Sequence, residues 1–536
     1  MSNPYLDAIN PVKTPQSSPL PGREPEMARN HAGGYAFLLT PWQALDRFLI
    51  LGTEGGTYYA TEREHTLDSI ANLRRAIAED GPRVVARIVK IDAANRAPKM
   101  KPILFALAAC HVLGDLATKQ VASAALPAIL RTGTHFFLYL SYLAALGSKL
   151  SRNKRSALSN WLASQEPDRL AYQMAKYANR EGWTWRDALR VIHPTPRGIA
   201  QRALYRWAVR GASALTRSQL SALPDVIIAA EKAKNPATTE KQIIRLIVKE
   251  GLTHEMIPSE RQSPAVLAAL AERMPATALL RQLARLTAAG VLPPLSDLGS
   301  LVAARIVDAE WLRKSRVHPI QILSALVVYG SGHGVRGALT WSPNQEIVAA
   351  LEEAFYTSFE SVEPTNKRTL LALDVSGSMG EGNVAGVPGL TPAMASACLA
   401  MVVARTEPHH HIMGFSSTFR DLGVTSRDSL SDALRKTSGL TFGSTDCALP
   451  ALWANSTGSL VDAFVILTDN ETWVGRVHPS AALADYRKAR DIPARQIVVG
   501  MTSTRFTIAD PRDPLSLDVV GFDAAAPAIM ADFIRG

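Results

Sequence analysis

Thr369-Leu370-Leu371-Ala372-Leu373-Asp374-Val375-Ser376-Gly377-Ser378 is the stretch on which the reading of this chain turns. It is a short apolar run that stops at a carboxylate, followed by two hydroxyls at alternate positions of a tight, glycine-containing loop. Residues 411–415, 463–467 and 496–499 repeat the short apolar run, and helical stretches at 392–405 and 480–490 lie between them. Short strands alternating with helices predict a parallel, doubly wound α/β domain over residues 362–536, with a ligand site at the carboxyl ends of its strands.

Two later loops bring further oxygen donors to those ends: Thr445 in Gly443-Ser444-Thr445-Asp446, and Asp469 just after the third run. Asp374, Ser376, Ser378, Thr445 and Asp469 include no His or Cys, a donor set that suits a hard cation such as Mg²⁺ better than zinc. With only two carboxylates the ion stays electrophilic and keeps a position for water or an acidic ligand. An Asp-x-Ser-x-Ser triplet alone is weak, because Asp and Ser satisfy loop backbone in ordinary turns. Three loops in order carry more weight, and together they resemble the metal-ion-dependent adhesion site of von Willebrand factor A domains. The set lacks a neighbouring His base, a second metal's carboxylates and a nucleophile elbow, so it reads as a binding site and not as a hydrolase. His409, His410 and His411 read as a solvated loop at a strand start, and Cys447 as an inert packed thiol.

Working outward, the charge divides at Ser361. The chain has 536 residues and a net charge of +10; beyond Ser361 there are 15 Lys+Arg and 18 Asp+Glu, against 43 and 30 up to it. The basicity therefore belongs to the longer N-terminal part, and residues 147–211 alone hold thirteen Lys/Arg and four acids. At 47% hydrophobic residues the chain has ample material for full cores, which excludes disorder as its main state. Three isolated cysteines, Cys110, Cys398 and Cys447, make a disulfide framework improbable and suit a reducing, cytoplasmic setting. The N-terminus has no secretory pattern, and residues 136–145 are too short for a membrane span and read as a buried helix.

Residues 1–29, rich in Pro, read as an extended arm without a core. From Pro41 to about Phe359 the periodicity is helical, with short connections and no convincing strand, which predicts a stack of helical hairpins in the HEAT manner over residues 30–361. Arg152, Lys154 and Arg155 open the basic segment with Lys149. Arg169, Gln173, Lys176 and Arg180 then recur at helical spacing, predicting one stripe, with Arg186/Arg190 and Arg202/Arg206/Arg210 on following helices. His193 falls in a Pro-rich turn between two basic helices. Like-charge stripes without nearby acids favour a polyanion partner, and Lys/Arg with interleaved aromatics is the chemistry of RNA recognition, although the aromatics by themselves read as core. Gly52-Thr53-Glu54-Gly55-Gly56 lacks the ending of a phosphate cradle.

A helical domain carrying Gly52-Thr53-Glu54-Gly55-Gly56-Thr57-Tyr58-Tyr59 and His333-Gly334-Val335-Arg336-Gly337 is followed by Asp374-Val375-Ser376-Gly377-Ser378-Met379, Gly443-Ser444-Thr445-Asp446-Cys447, Thr468-Asp469-Asn470-Glu471 and Gly500-Met501-Thr502-Ser503. From about Trp42 to the C-terminus the chain thus resembles the Ro autoantigen (TROVE-domain) family, most of all its bacterial members. The resemblance implies a monomeric ring of HEAT-like repeats closed by the A domain. It implies Y RNA on the basic outer face, and single-stranded 3′ ends of misfolded or precursor RNAs, ribosomal RNA included, in a central hole. It also implies a partnership with a 3′-to-5′ exoribonuclease, no enzymatic activity of its own, and RNA contacts at Lys176, Arg180 and His193. The turn 194–197 departs from the animal pattern, which carries a lysine shortly after the histidine. A protein-binding adhesion module is the alternative, and a metal-dependent nuclease a weaker third.

Overall fold

The computed structural model describes residues 13–53, 62–147, 150–335, 337–359, 363–384, 389–437, 443–523 and 525–536. Lys149, Arg336, residues 1–12 of the arm and residues 54–59 of the glycine-rich motif lie outside them. From Pro41 to Thr357 the chain is a succession of helices whose ends follow from local chemistry. The helix Pro41–Leu51 starts with Pro in its first turn and a reciprocal pair of bonds between Thr40 and Gln43, and it stops at Gly52, φ 69°. The helix Glu62–Ala93 is broken at Asp80 (φ −155°, ψ 81°), just before Gly81-Pro82; the Asp80 carboxylate accepts from Arg83 N at 2.9 Å and restarts it. Residues 133–145 form a buried helix, and no helix among the described residues is long and apolar enough to cross a membrane.

The helical array closes on itself. Residues 92–98, at the end of the second helix and just after it, meet residues 316–321, before and within the helix Pro319–Gly330. Arg316 bonds the Asp92 carbonyl, Asn95 Nδ2 donates to Arg316 O at 3.4 Å, and Gln321 Nε2 donates to Pro98 O at 3.2 Å. His318, 1% exposed, lies 3.2 Å from Arg96 O through Nε2 and accepts from Ile320 N through Nδ1. These polar bonds join the two segments beside the buried apolar side chains of Ile91, Val317 and Ile320.

Strands β1 (Met27–Arg29) and β2 (Tyr35–Leu38) precede the helices, and a short hairpin, β3 (Asn179–Arg180) and β4 (Trp183–Thr184), interrupts them. After the helices come β5 (Thr369–Asp374), β6 (His410–Phe415), β7 (Phe419–Asp421), β8 (Ala463–Thr468), β9 (Arg495–Gly500), β10 (Phe506–Thr507) and β11 (Ser516–Val520). The main sheet runs β11-β9-β8-β5-β6-β7, parallel except for β7, with helices between β5 and β6, between β7 and β8 and between β8 and β9, where the sequence alternates. The expectation of no convincing strand between Pro41 and Phe359 is corrected by β3 and β4, and β1 and β2 lie before that range. Segments of two to four residues show no period, and β2 pairs with β10 from the far end of the chain.

The N-terminal segment is also not the coreless arm expected from its prolines, because residues 13–38 dock along the A domain. Gln16 is fully buried: its Nε2 donates to Asp446 Oδ1 at 2.6 Å and to Val477 O at 2.9 Å, and its Oε1 accepts from the Thr472 hydroxyl. Asn30 Nδ2 donates to Thr472 O at 2.7 Å, and Gly34 lies so close that a Cβ there would sit 2.0 Å from the same carbonyl. At the opposite end of the helices Glu352 accepts from Leu430 N at 2.9 Å, and near their start Arg96 donates to Val520 O at 2.7 Å. Both ends of the array therefore rest on the A domain.

Candidate metal centre and nucleic-acid interface

β5 and β8 are neighbours in parallel register, Leu373 beside Leu467, so their carboxyl ends bring Asp374 and Asp469 together. Asp374, Ser376, Ser378, Thr445 and Asp469 are all buried, none more than 5% exposed. Asp374 Oδ1 accepts from Ser376 N at 3.0 Å, and Asp374 Oδ2 accepts from the Thr468 hydroxyl at 2.6 Å. Ser376 Oγ lies 3.1 Å from Ser378 Oγ, the Ser378 side chain bonds Asp469, and Asp469 Oδ1 accepts from Glu471 N at 3.0 Å. The structure thus links Asp374, Ser376, Ser378 and Asp469 at the strand ends, and Thr445 O accepts from Trp473 N in the loop that follows Asp469.

Burial pushes the Asp374 carboxyl up to about 6, against the lowering effect of Ser376 and Thr468. Asp469 is also raised, first by burial and then by the charges of Asp374 and Glu471. Thr445 Oγ1 is buried with no hydrogen-bond partner among the described residues. A dry pair of mutually repelling carboxylates, together with an unsatisfied hydroxyl on a neighbouring loop, fits a hard divalent cation, which would relieve both costs. No group of three or more His, Cys, Asp or Glu among the described residues is arranged for a metal, so the hydroxyls are essential to this set.

Glu471 and the N-terminal segment were not foreseen as parts of this site. Glu471 is 1% exposed; its carboxylate meets His31 Nδ1 at 2.8 Å and accepts from Ala32 N at 3.0 Å. The Thr472 hydroxyl, which donates to Gln16 Oε1, accepts from Cys447 N at 3.0 Å, and Trp473 N donates to Thr445 O at 3.1 Å. The Asp469 and Thr445 loops are thereby tied to each other and to the first described residues. No local sequence pattern signals that link. Cys447 is buried, with its thiol pushed up by burial, and His410 Nδ1 meets Glu407 O at 2.7 Å in a partly exposed strand start.

On the basic segment the outcome is mixed. Arg152, Arg155, Arg169, Arg186, Arg190 and His193 are exposed. Arg152, Arg169, Arg186, Arg190, Arg202, Arg206 and Arg210 form no ion pair among the described residues, so their charge faces solvent. The single helical stripe is corrected: the helix Pro167–Lys176 ends before Arg180, which sits in β3. Glu181 (φ 53°) and Gly182 (φ 75°) make the two-residue turn that pairs Arg180 with Trp183, a geometry no helix tolerates.

Three of the expected contacts are largely enclosed. Gln173, 8% exposed, accepts from Gly133 N at 2.8 Å and so caps the start of the helix Gly133–Ala145. Lys154 is 9% exposed. Lys176, 8% exposed, lies 5.6 Å and 5.4 Å from the Tyr172 and Tyr177 ring centroids and 4.0 Å from Glu255, and burial lowers its ammonium from the ordinary value. Arg180 extends the same cluster, 5.8 Å from the Tyr177 ring. His193 caps the helix Trp185–Ile192 in the left-handed region, φ 53°. Trp161 and Trp185 stack on Phe136 at 4.8 and 5.5 Å in the core, as the aromatics by themselves suggested.

Residues 28–219 and 229–328 match the family model described as the TROVE domain, and residues 368–534 match the one described as the Ro60 vWA domain. The chain is similar to the RNA-binding protein RO60 of Deinococcus radiodurans, 41% identical over 534 residues that cover 99% of each chain. It is also similar to the RNA-binding protein RO60 of Caenorhabditis elegans, 32% identical over 95% of this chain and 90% of that one. The crystal structure of the Ro (RSR) protein of Deinococcus radiodurans superposes with a TM-score of 0.70 at 42% identity, covering 93% of this chain and 100% of that chain.

Proposed function

Since the chain belongs to the Ro60 family, uniting a TROVE domain with a Ro60 vWA domain, we propose that it is a non-enzymatic RNA-binding protein whose arginine-rich helical surface holds small noncoding RNA. The observation that carries this reading is the set Arg186, Arg190, Arg202, Arg206 and Arg210: all are exposed on two consecutive helices, and none is neutralised by an ion pair among the described residues. Phosphates supply the missing counter-charge. In this reading a Y RNA lies on that outer face, and the single-stranded 3′ ends of misfolded or precursor RNAs, ribosomal RNA among them, enter the closed ring. A 3′-to-5′ exoribonuclease then acts on the RNA presented, in the cytoplasm. Mg²⁺ is held by Asp374, Ser376, Ser378, Thr445 and Asp469, where it offers a Lewis-acidic position for an acidic ligand.

The test is RNA affinity against salt for the full chain and for Arg186→Ala/Arg190→Ala. Affinity should fall steeply with salt, and the double variant should have a shallower slope by about two counterions. A salt-insensitive complex, or a double variant with unchanged affinity, rejects the reading.

A second reading, a metal-dependent protein-binding module, is favoured by one observation. Trp473 and Val474, 40% and 42% exposed, follow the metal loop directly and offer an apolar contact beside an acidic partner's carboxylate. Partner capture abolished by Asp374→Ala with RNA binding intact would support it.

A further inference from the structure

Between the helices Leu116–Ile129 and Arg152–Ser164 lies a cleft of about 790 Å³, within the size range of small-ligand sites. Lys119, Lys154 and Arg197 line it, with Asn153, Asn160 and Ser156 supplying amide and hydroxyl donors. Neither Asp nor Glu is among its lining residues. Asp115, one turn before Lys119, is engaged at its own helix start, where it accepts from Thr118 N at 2.8 Å and Thr118 Oγ1 at 2.6 Å. The helix Arg152–Ser164 begins at this cleft, and its N-cap Ser151 makes no side-chain cap bond, which leaves the positive end of the helix to the cleft.

His111 forms part of the floor and shows where the field converges. The Ser123 hydroxyl donates to Lys119 O at 2.8 Å, so His111 Nε2–H donates to Ser123 Oγ at 2.7 Å and Nδ1 accepts from the Tyr139 hydroxyl. The ring is held down to about 4, first by burial and then by the charges of Lys154 and Lys119. A neutral histidine beneath Lys154 and Lys119, with Arg197 on the same lining, makes the cleft a cationic one among the described residues.

We propose that this cleft binds the phosphate of one nucleotide unit, with Lys119, Lys154 and Arg197 as its counter-charges and the neighbouring amides and hydroxyls on the sugar and base. The proposal rests on the RNA-binding reading and deepens it. Arg197 ends the turn that begins at His193, so the cleft continues the exposed arginine surface inward. The phosphate has two sources, a residue of bound RNA or a free nucleotide.

The experiment measures binding of labelled uridine 5′-monophosphate and of a short oligouridylate, about 12 nucleotides, to the full chain. Ser156→Asp places a carboxylate in the cleft, Lys119→Gln removes a cation without disturbing buried Lys154, and Ser456→Asp adds the same charge on an exposed A-domain helix. Mononucleotide binding should fall about tenfold in the first two variants and hold in the third. If oligouridylate binding falls with it, the ligand is RNA phosphate; if only the mononucleotide is affected, it is free nucleotide. Absence of saturable mononucleotide binding to the parent, or unchanged binding in both cleft variants, overturns the proposal. Arg186→Ala/Arg190→Ala separates that failure from failure of the RNA-binding reading: weakened oligouridylate binding there keeps the reading while the cleft falls.

Discussion

Arg47, in the first long helix, and Asp518, on β11, form a buried ion pair between the two domains, 2.5 Å from Nη2 to Oδ1. Arg47 is 0% exposed, and its Nη1 also donates to Thr504 O, Thr504 Oγ1 and Phe506 O, each at 3.2 Å. Its guanidinium thus ties the helix to β11 and to the strand that pairs with β2. Arg47→Ala should destabilise the native state by about 3–5 kcal/mol, because it leaves Asp518 uncompensated, and replacing both partners by apolar residues should recover much of the loss. Denaturant midpoints check this, and an unchanged midpoint in Arg47→Ala contradicts it.

The buried cluster at Asp374 and Asp469 predicts a linked stability. Mg²⁺ added to chelator-stripped protein should raise the melting temperature, with a gain of about 2.7 kcal/mol at a hundredfold excess over Kd. Thr445→Val should remove most of that response while keeping the apo fold, because the hydroxyl it deletes has no hydrogen-bond partner among the described residues. A scan of melting temperature against Mg²⁺ decides; equal responses in parent and Thr445→Val would remove Thr445 from the donor set.

Gln173 carries a different expectation from the arginines around it. Gln173→Ala leaves the buried Gly133 N–H without its acceptor and should lower stability by about 1–3 kcal/mol. RNA affinity of the folded fraction should stay within about twofold, since a lost phosphate contact would instead change the salt slope. Unaltered stability with reduced affinity would reverse this assignment.

His318 sets a pH dependence at the ring seam. Burial holds its folded-state value down to about 3, whereas the unfolded imidazole titrates near 6.5. Between those values the unfolded chain binds the extra proton, so stability from this group is complete above 6.5 and falls by about 1.4 kcal/mol per pH unit below it. Protonated Nδ1 also loses its bond from Ile320 N. Melting temperatures at pH 5 and 7.5 should differ more for the parent than for His318→Asn, and equal differences would exclude His318 as a source.

How far these sites were legible in the sequence depended on where their determinants lie along the chain. Asp374, Ser376 and Ser378 share one loop after a strong strand, and Thr445 and Asp469 follow in order at other strand ends, so local pattern sufficed. The stripe through Arg180 failed because periodicity from 169 to 180 outweighed a weaker hairpin signal, Gly182 two residues after Arg180. Lys154, Gln173 and Lys176 read as surface cations or polar contacts, yet tertiary packing encloses them, and composition carries no trace of Tyr172, Tyr177 and Glu255 gathering around one lysine. The docking of Gln16, Asn30 and His31 on the Thr472 loop is a contact between opposite ends of the chain, beyond any local reading.

The pairing of β2 with β10 also orders events during synthesis. Residues 35–38 leave the ribosome before any of the helical array, but Leu38 acquires its partner Phe506 only when the chain is almost complete. Until then the loops carrying Thr445 and Asp469 do not exist for Gln16 and His31 to brace, and the nascent array lacks the domain on which both its ends rest. The entropic cost of joining such distant segments grows only slowly with their separation, so it is the delay that matters. The growing chain therefore passes through a long stage with its arginine surface translated and its ring unfinished.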